Sequence, residues 1–233
     1  VYVHPEHPLK FVPGNPKQFI WMSEREGFDA LFLYDTNGKM IRRLTETDPT
    51  SGKAMLVYET LAFSEKGNQL YFTGTPAGNI TKQLYTVTLP GGKLTQLTSG
   101  EGYHEITFNS KATFYIDNFS AVDLPRWQAI SSAAGKVLNV LLVSENPLKD
   151  YKQCKIKLHT IKAADGITDL WCRTIYPAEY NEDEKYPALV YVYNGPNIQL
   201  IRNNWLGGAD LFLYYMAQQG YIVFTVDGRG SAN

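Results

Sequence analysis

Two stretches near the carboxy end carry side chains able to do chemistry. Ala188-Leu-Val-Tyr-Val-Tyr-Asn-Gly-Pro196 and Tyr221-Ile-Val-Phe-Thr-Val-Asp-Gly-Arg-Gly230 are apolar, β-branched and aromatic runs that stop at glycine turns. Tyr193 stands at the first stop. A phenol there can donate a hydrogen bond to the negative oxygen of a tetrahedral acyl intermediate, an electrostatic role. From the residues alone, a tyrosine packed at the sheet rim is the better reading, since strand aromatics usually pack. At the second stop, Asp227-Gly-Arg-Gly230 lacks the spacing of a phosphate-cradling loop. The better reading is a turn in which Asp227 satisfies turn amides and Arg229 pairs locally. Ser231 lies in Arg-Gly-Ser-Ala-Asn, which is no nucleophile elbow, and the chain holds no G-x-S-x-G. His4, His7, His104 and His159 show no ligand spacing, and neither HExxH nor a paired CxxC occurs. No metal and no cofactor is expected.

The elements that must position Tyr193 and Asp227 are also legible. Ala188–Tyr193 reads as a strand, and a loop of about a dozen residues follows it. Ala209–Gln219 reads as a helix closed by Gly220, and Tyr221–Val226 as a second strand. Strand, crossover helix and strand make a βαβ unit with parallel strands, and open α/β sheets do their chemistry beyond the carboxyl ends of such strands. Upstream, Lys155–Lys162 and Thr168–Tyr176 form a hairpin about a tight turn at Asp165-Gly166. In that register Cys172 faces His159 and Cys154 lies far down the hairpin, so two free, buried thiols are expected.

The first 150 residues repeat. Phe19–Met22, Leu70–Thr73 and Phe114–Asp117 are strands entered from turn residues. Each leads to a second strand (Leu31–Tyr34, Gln83–Val87, Trp127–Ile130), then to a glycine turn and a third. The Gly-Lys markers at Gly38, Gly92 and Gly135 are 54 and 43 residues apart. A period near 45 with about four strands per unit is the mark of β-propeller blades, favoured here over an irregular sandwich. The fold class is therefore about three blades of an incomplete β-propeller over residues 1–150, then the N-terminal part of an α/β-hydrolase domain over residues 151–233. Three blades cannot close a ring, so further blades are expected upstream.

Composition narrows the function classes. Lys plus Arg 22 against Asp plus Glu 23 leaves a net charge of −1, with no basic stripe for nucleic acid. Aromatics reach 13%, with 16 tyrosines, which suits a β-rich chain. No apolar run approaches the roughly 20 residues needed to span a bilayer. The chain opens Val-Tyr-Val-His without a signal segment or an initiator Met, so a trimmed start is expected.

Lys185-Tyr-Pro-Ala-Leu-Val-Tyr-Val-Tyr-Asn-Gly-Pro196 and Phe224-Thr-Val-Asp-Gly-Arg-Gly-Ser-Ala-Asn233 resemble the start of the catalytic domain in the prolyl oligopeptidase clan of serine peptidases. The likeness is to its dipeptidyl peptidase IV branch, nearest the bacterial prolyl tripeptidyl aminopeptidases. Phe19-Ile-Trp-Met-Ser-Glu-Arg-Glu-Gly27 and Leu31-Phe-Leu-Tyr-Asp35 are similar to that branch's propeller. The resemblance implies a propeller gating an α/β-hydrolase domain that releases N-terminal di- or tripeptides, usually after proline. Tyr193 matches the family's oxyanion-hole tyrosine. The serine, aspartate and histidine of the triad are expected downstream, leaving this chain inactive alone. The paired glutamates that hold a substrate ammonium are expected in earlier blades, since Glu24-Arg-Glu26 is spaced as a blade turn. Asn194 stands where many relatives carry Gly or Ala. A peptide with a free amino terminus is the implied partner. A homodimer through open strand edges, and a bacterial periplasmic or cell-surface location, are further expectations. A propeller binding module without catalysis, and an acylaminoacyl peptidase or endopeptidase of the same clan, remain the alternatives.

Overall fold

The computed structural model describes residues 9–193, 195 and 198–231. They form two compact units. One comprises residues 9–100 with His104–Asn118 and Gln128–Leu141; the other comprises Glu101–Tyr103, Phe119–Trp127 and residues 142–231.

Three four-stranded antiparallel sheets follow one another as blades. The first contains β1 (Lys10–Val12), β2 (Asn15–Ser23), β3 (Ala30–Asp35) and β4 (Met40–Arg43). The second contains β5 (Met55–Phe63), β6 (Gln69–Pro76), β7 (Gln83–Thr88) and β8 (Leu94–Gln96). The third contains β9 (Tyr103–Phe108), β10 (Phe114–Ala121), β11 (Leu124–Ser132) and β12 (Val137–Val143), and the boundary between the units runs through it. Within each sheet the strands lie in chain order.

Apolar residues on facing sheets make the core of the first unit. Ile20, Leu31 and Leu33 of the first blade pack with Met55, Leu70, Phe72 and Tyr85 of the second. Tyr71 and Leu84 cluster with Ile106, Ala112 and Tyr115. A polar device recurs. The Thr45 hydroxyl accepts the Leu31 N–H at 2.9 Å, and the Thr98 hydroxyl accepts the Leu84 N–H at 2.9 Å. Leu44 and Leu97 then donate to the carbonyls of the same two leucines, at 2.8 Å each. The Leu-Thr that ends the first two Gly-Lys strands thus satisfies one buried N–H in each of the first two blades, as burial requires.

The other unit is built on a mixed sheet in the order β13 (Ile156–Lys162), β14 (Asp169–Ile175), β16 (Ile222–Val226), β15 (Ala188–Tyr191). β13 and β14 pair antiparallel with His159 opposite Cys172. Cys154 and Cys172 are free and buried. β15 and β16 are parallel neighbours, with Tyr191 opposite Thr225. Between them a short 3-10 turn, Trp205–Gly208, precedes α1 (Leu211–Gln218). Asp210 caps α1 by accepting the Leu213 N–H at 2.9 Å, and Gly220 ends it at φ 93°. The helix buries Leu213, Tyr214 and Ala217 against Ile175 and Val223. The Tyr214 hydroxyl accepts the Cys154 N–H at 2.8 Å. Among the described residues no helix is long and apolar enough to cross a membrane.

Candidate functional site

Because β15 and β16 run parallel and in register, their carboxyl ends open side by side. The strand expected to reach Tyr193 ends at Tyr191, so the phenol lies two residues past the last pairing, in the loop. The residue is 56% exposed. Among the described residues its side chain is therefore not packed into the sheet rim. Gly195 lies directly beneath. A Cβ added there would fall 2.3 Å from the Tyr193 Cε1 and 2.8 Å from its Cζ, so the ring occupies space that only a glycine leaves open. Asn194, His4 and His7 lie outside the described residues.

Asp227 is the first residue beyond β16. Its carboxylate accepts the Leu200 N–H at 3.0 Å and the Ile201 N–H at 2.9 Å. The amides it satisfies are therefore not those of its own turn, as the sequence suggested, but those of the loop that leaves β15. Burial at 5% exposure makes these charge-assisted bonds stronger than neutral ones. Arg229 also departs from the expected local pairing. It forms an ion pair with Asp165 at 2.5 Å, at the β13–β14 turn. Hydrogen bonds from Thr168 and Ile167, joined by the Arg229 charge, hold the Asp165 carboxyl well below the ordinary carboxylate range. The Ser231 hydroxyl donates to the Gly228 carbonyl at 2.8 Å and so serves the turn.

A residue that sequence reasoning missed organises this region. Arg173, on β14, is only 1% exposed. Its Nη1 donates to the Gly207 carbonyl at 2.8 Å and makes a long contact of 3.4 Å to the Leu200 carbonyl; its Nη2 donates to the Thr225 hydroxyl at 3.2 Å. Burial pulls the guanidinium down to about 10, while Asp227, Asp210 and Tyr191 favour its charge. An unpaired buried charge costs several kcal/mol, and hydrophobic replacement is often as stable, so packing alone does not account for an arginine here. The signal in the sequence was a lone cation inside the apolar run Leu170-Trp-Cys-Arg-Thr-Ile175.

His104 and Asp117, in the propeller unit, form a buried pair at 2.9 Å. A cavity of about 240 Å³ in that unit is lined by Arg42 and Arg43. Both are engaged: Arg42 donates to the Gly91 carbonyl at 2.6 Å, and Arg43 pairs with Glu26 of the turn after β2. Among the described residues no three His, Cys, Asp or Glu side chains cluster as a metal site would need.

Residues 1–126 match the family model described as the dipeptidyl peptidase IV (DPP IV) N-terminal region. The chain belongs to the dipeptidyl peptidase IV family. The fold agrees, for a Bacteroides ovatus protein whose solved structure is described as a "putative dipeptidyl aminopeptidase IV" superposes at TM-score 0.89. It shares 34% identity over 100% of this chain and 35% of its own. Dipeptidyl peptidase 4 of Porphyromonas gingivalis superposes at TM-score 0.83 with 26% identity, over 99% of this chain and 32% of that one. The "Probable dipeptidyl-aminopeptidase B" of Botryotinia fuckeliana is 32% identical over 188 residues, which is 78% of this chain and 20% of the relative. The chain thus spans between a fifth and about a third of these family members.

Proposed function

We propose that this chain is part of a serine exopeptidase that removes dipeptides from free amino termini, cutting after proline, with Tyr193 as an oxyanion donor. What supports this reading is the exposed phenol at the end of one of two parallel strands in a dipeptidyl peptidase IV family member. On this reading the mixed sheet begins an α/β-hydrolase domain, the fold in which the loop after the third strand contributes to the oxyanion hole.

The chemistry follows from that assignment. A serine hydroxyl supplied by sequence beyond these residues bonds to the substrate carbonyl carbon, and its proton passes to a histidine. The carbonyl π pair moves to oxygen, and the Tyr193 O–H donates to the resulting anion. As the tetrahedral species collapses, the C–N bond breaks and the leaving amine takes the proton from histidine. Water then hydrolyses the acyl-enzyme by the same steps. A preformed donor of this kind is worth roughly 10²–10³ in kcat.

The test uses the complete reading frame that contains this chain. The protein should hydrolyse a Gly-Pro anilide, ignore its N-acetylated counterpart and lose activity with a serine-directed fluorophosphonate. Preference for the blocked substrate contradicts the exopeptidase reading, and indifference to the fluorophosphonate contradicts the serine mechanism. The 233-residue chain by itself should be inert towards the same anilide. We place the parent in the periplasm or on the cell surface of a bacterium, and cell fractionation checks this.

A further inference from the structure

Leu200 is held from both sides by opposite charges. Its N–H meets the Asp227 carboxylate at 3.0 Å, and its carbonyl faces the Arg173 guanidinium at 3.4 Å. The same guanidinium nitrogen reaches the Gly207 carbonyl at 2.8 Å, so one side chain ties the loop to itself at two points. The bracket depends on close approach. Gly207 and Gly208 sit at φ 63° and 79°, and a Cβ on Gly208 would lie 2.6 Å from the Leu200 carbonyl oxygen. A Cβ on Gly207 would lie 3.2 Å from the Arg173 Cδ. Backbone at positive φ without a side chain is what lets the loop fold over the arginine.

Tyr193 lies in this same loop. The segment carrying it is fixed at one end by the pairing of Tyr191 with Thr225 and at the other by Leu200. Thr225, opposite Tyr191 on β16, also receives Arg173 Nη2, so both fixed ends converge on one guanidinium. Among the described residues Arg173 is buried, so it acts through the groups it touches.

We infer that Arg173 is a positioning residue, which sets the placement of the Tyr193 phenol by bracing both ends of its loop. This rests on the oxyanion role proposed above for Tyr193. Lysine at 173 keeps the charge but cannot bridge the two carbonyls and Thr225 in a planar fork.

The experiment is a double-mutant cycle in the full-length enzyme, with the Gly-Pro anilide as substrate. Arg173→Lys should lower kcat roughly tenfold at unchanged KM, because misplacing a catalytic group by a fraction of an ångström costs rate rather than binding. In the Tyr193→Phe background the same substitution should cost less than about twofold, since the group it positions is gone. Equal losses in both backgrounds, or full activity in Arg173→Lys, would overturn the inference while leaving the oxyanion role intact. Full activity in Tyr193→Phe would overturn both. Should Arg173→Lys fail to fold by circular dichroism, Thr225→Val is read in the same two backgrounds. It removes one of the three acceptors and should cost about threefold, and only where Tyr193 is present.

Discussion

The propeller blades and the carboxy-terminal sheet face the same requirement: buried backbone N–H groups need acceptors. The blades use a neutral hydroxyl from nearby in the chain. Thr45 serves Leu31 and Thr98 serves Leu84, each across 14 residues and at the same distance. The carboxy-terminal sheet uses a carboxylate from 27 residues away, and it buries an arginine from a third strand beside it. A neutral bracket costs little desolvation and recurs in the first two blades. A charged bracket costs desolvation and gains geometric definition, as the proposed positioning of Tyr193 would need.

The largest effect should come from breaking the charged bracket. Asp227→Ala removes the acceptor for two N–H groups and the foremost of the charges that favour the Arg173 guanidinium. A loss of about 3–5 kcal/mol is expected from denaturant unfolding of the complete protein. A loss under about 1 kcal/mol would mean that the carboxylate carries little of the loop. The blade brackets should be weaker. Thr45→Val and Thr98→Val each strip one buried N–H of its acceptor, at about 1–3 kcal/mol apiece. Thr98→Val should cost the more, because its hydroxyl also donates to Gln83 Oε1 at 2.7 Å; no loss in either variant would contradict the bracket.

Acid should separate the regions further. Burial opposes the charge on Asp48, but hydrogen bonds from Ser51, from the Tyr85 hydroxyl at 2.9 Å and from Thr50 outweigh it, and its folded pKa lies below the ordinary value of 3.8. A depressed folded pKa means the contribution is complete above the unfolded value and disappears as pH falls through the folded one. The propeller unit should therefore lose stability as pH drops below about 4, and Asp48→Asn should flatten that slope. A slope unchanged in Asp48→Asn would assign it to other carboxylates. The smallest change in stability should follow Gly195→Ala, within about 0.5 kcal/mol, because the exposed Tyr193 ring can swing aside. The displaced phenol should nonetheless lower kcat roughly 10- to 100-fold.

Much of the fold was legible because glycine turns punctuate it. The nine strands read from the repeat, the Asp165-Gly166 hairpin and the parallel pair around α1 all stand where their patterns placed them. The opening strand of each blade was not read by name. β5 shows why: its register shifts twice, between Val57 and Glu59 and between Thr60 and Ala62, so its alternation is broken along the chain. β1 is only three residues long and is also irregular. At the site, the place of Tyr193 just past a strand that stops at a glycine was legible, while the role proposed for it comes from the family resemblance. The reach of Asp227 and the role of Arg173 were not legible, since an arginine inside a strand says nothing of which distant carbonyls it will meet.

The most direct test is the affinity of the complete protein for a Gly-Pro aldehyde, whose serine adduct carries a tetrahedral anionic oxygen. If the residue-193 hydroxyl stabilises that charge, Tyr193→Phe should bind the aldehyde about 100-fold more weakly while KM for the anilide stays the same. Equal aldehyde affinity in the wild type and Tyr193→Phe would contradict the assignment.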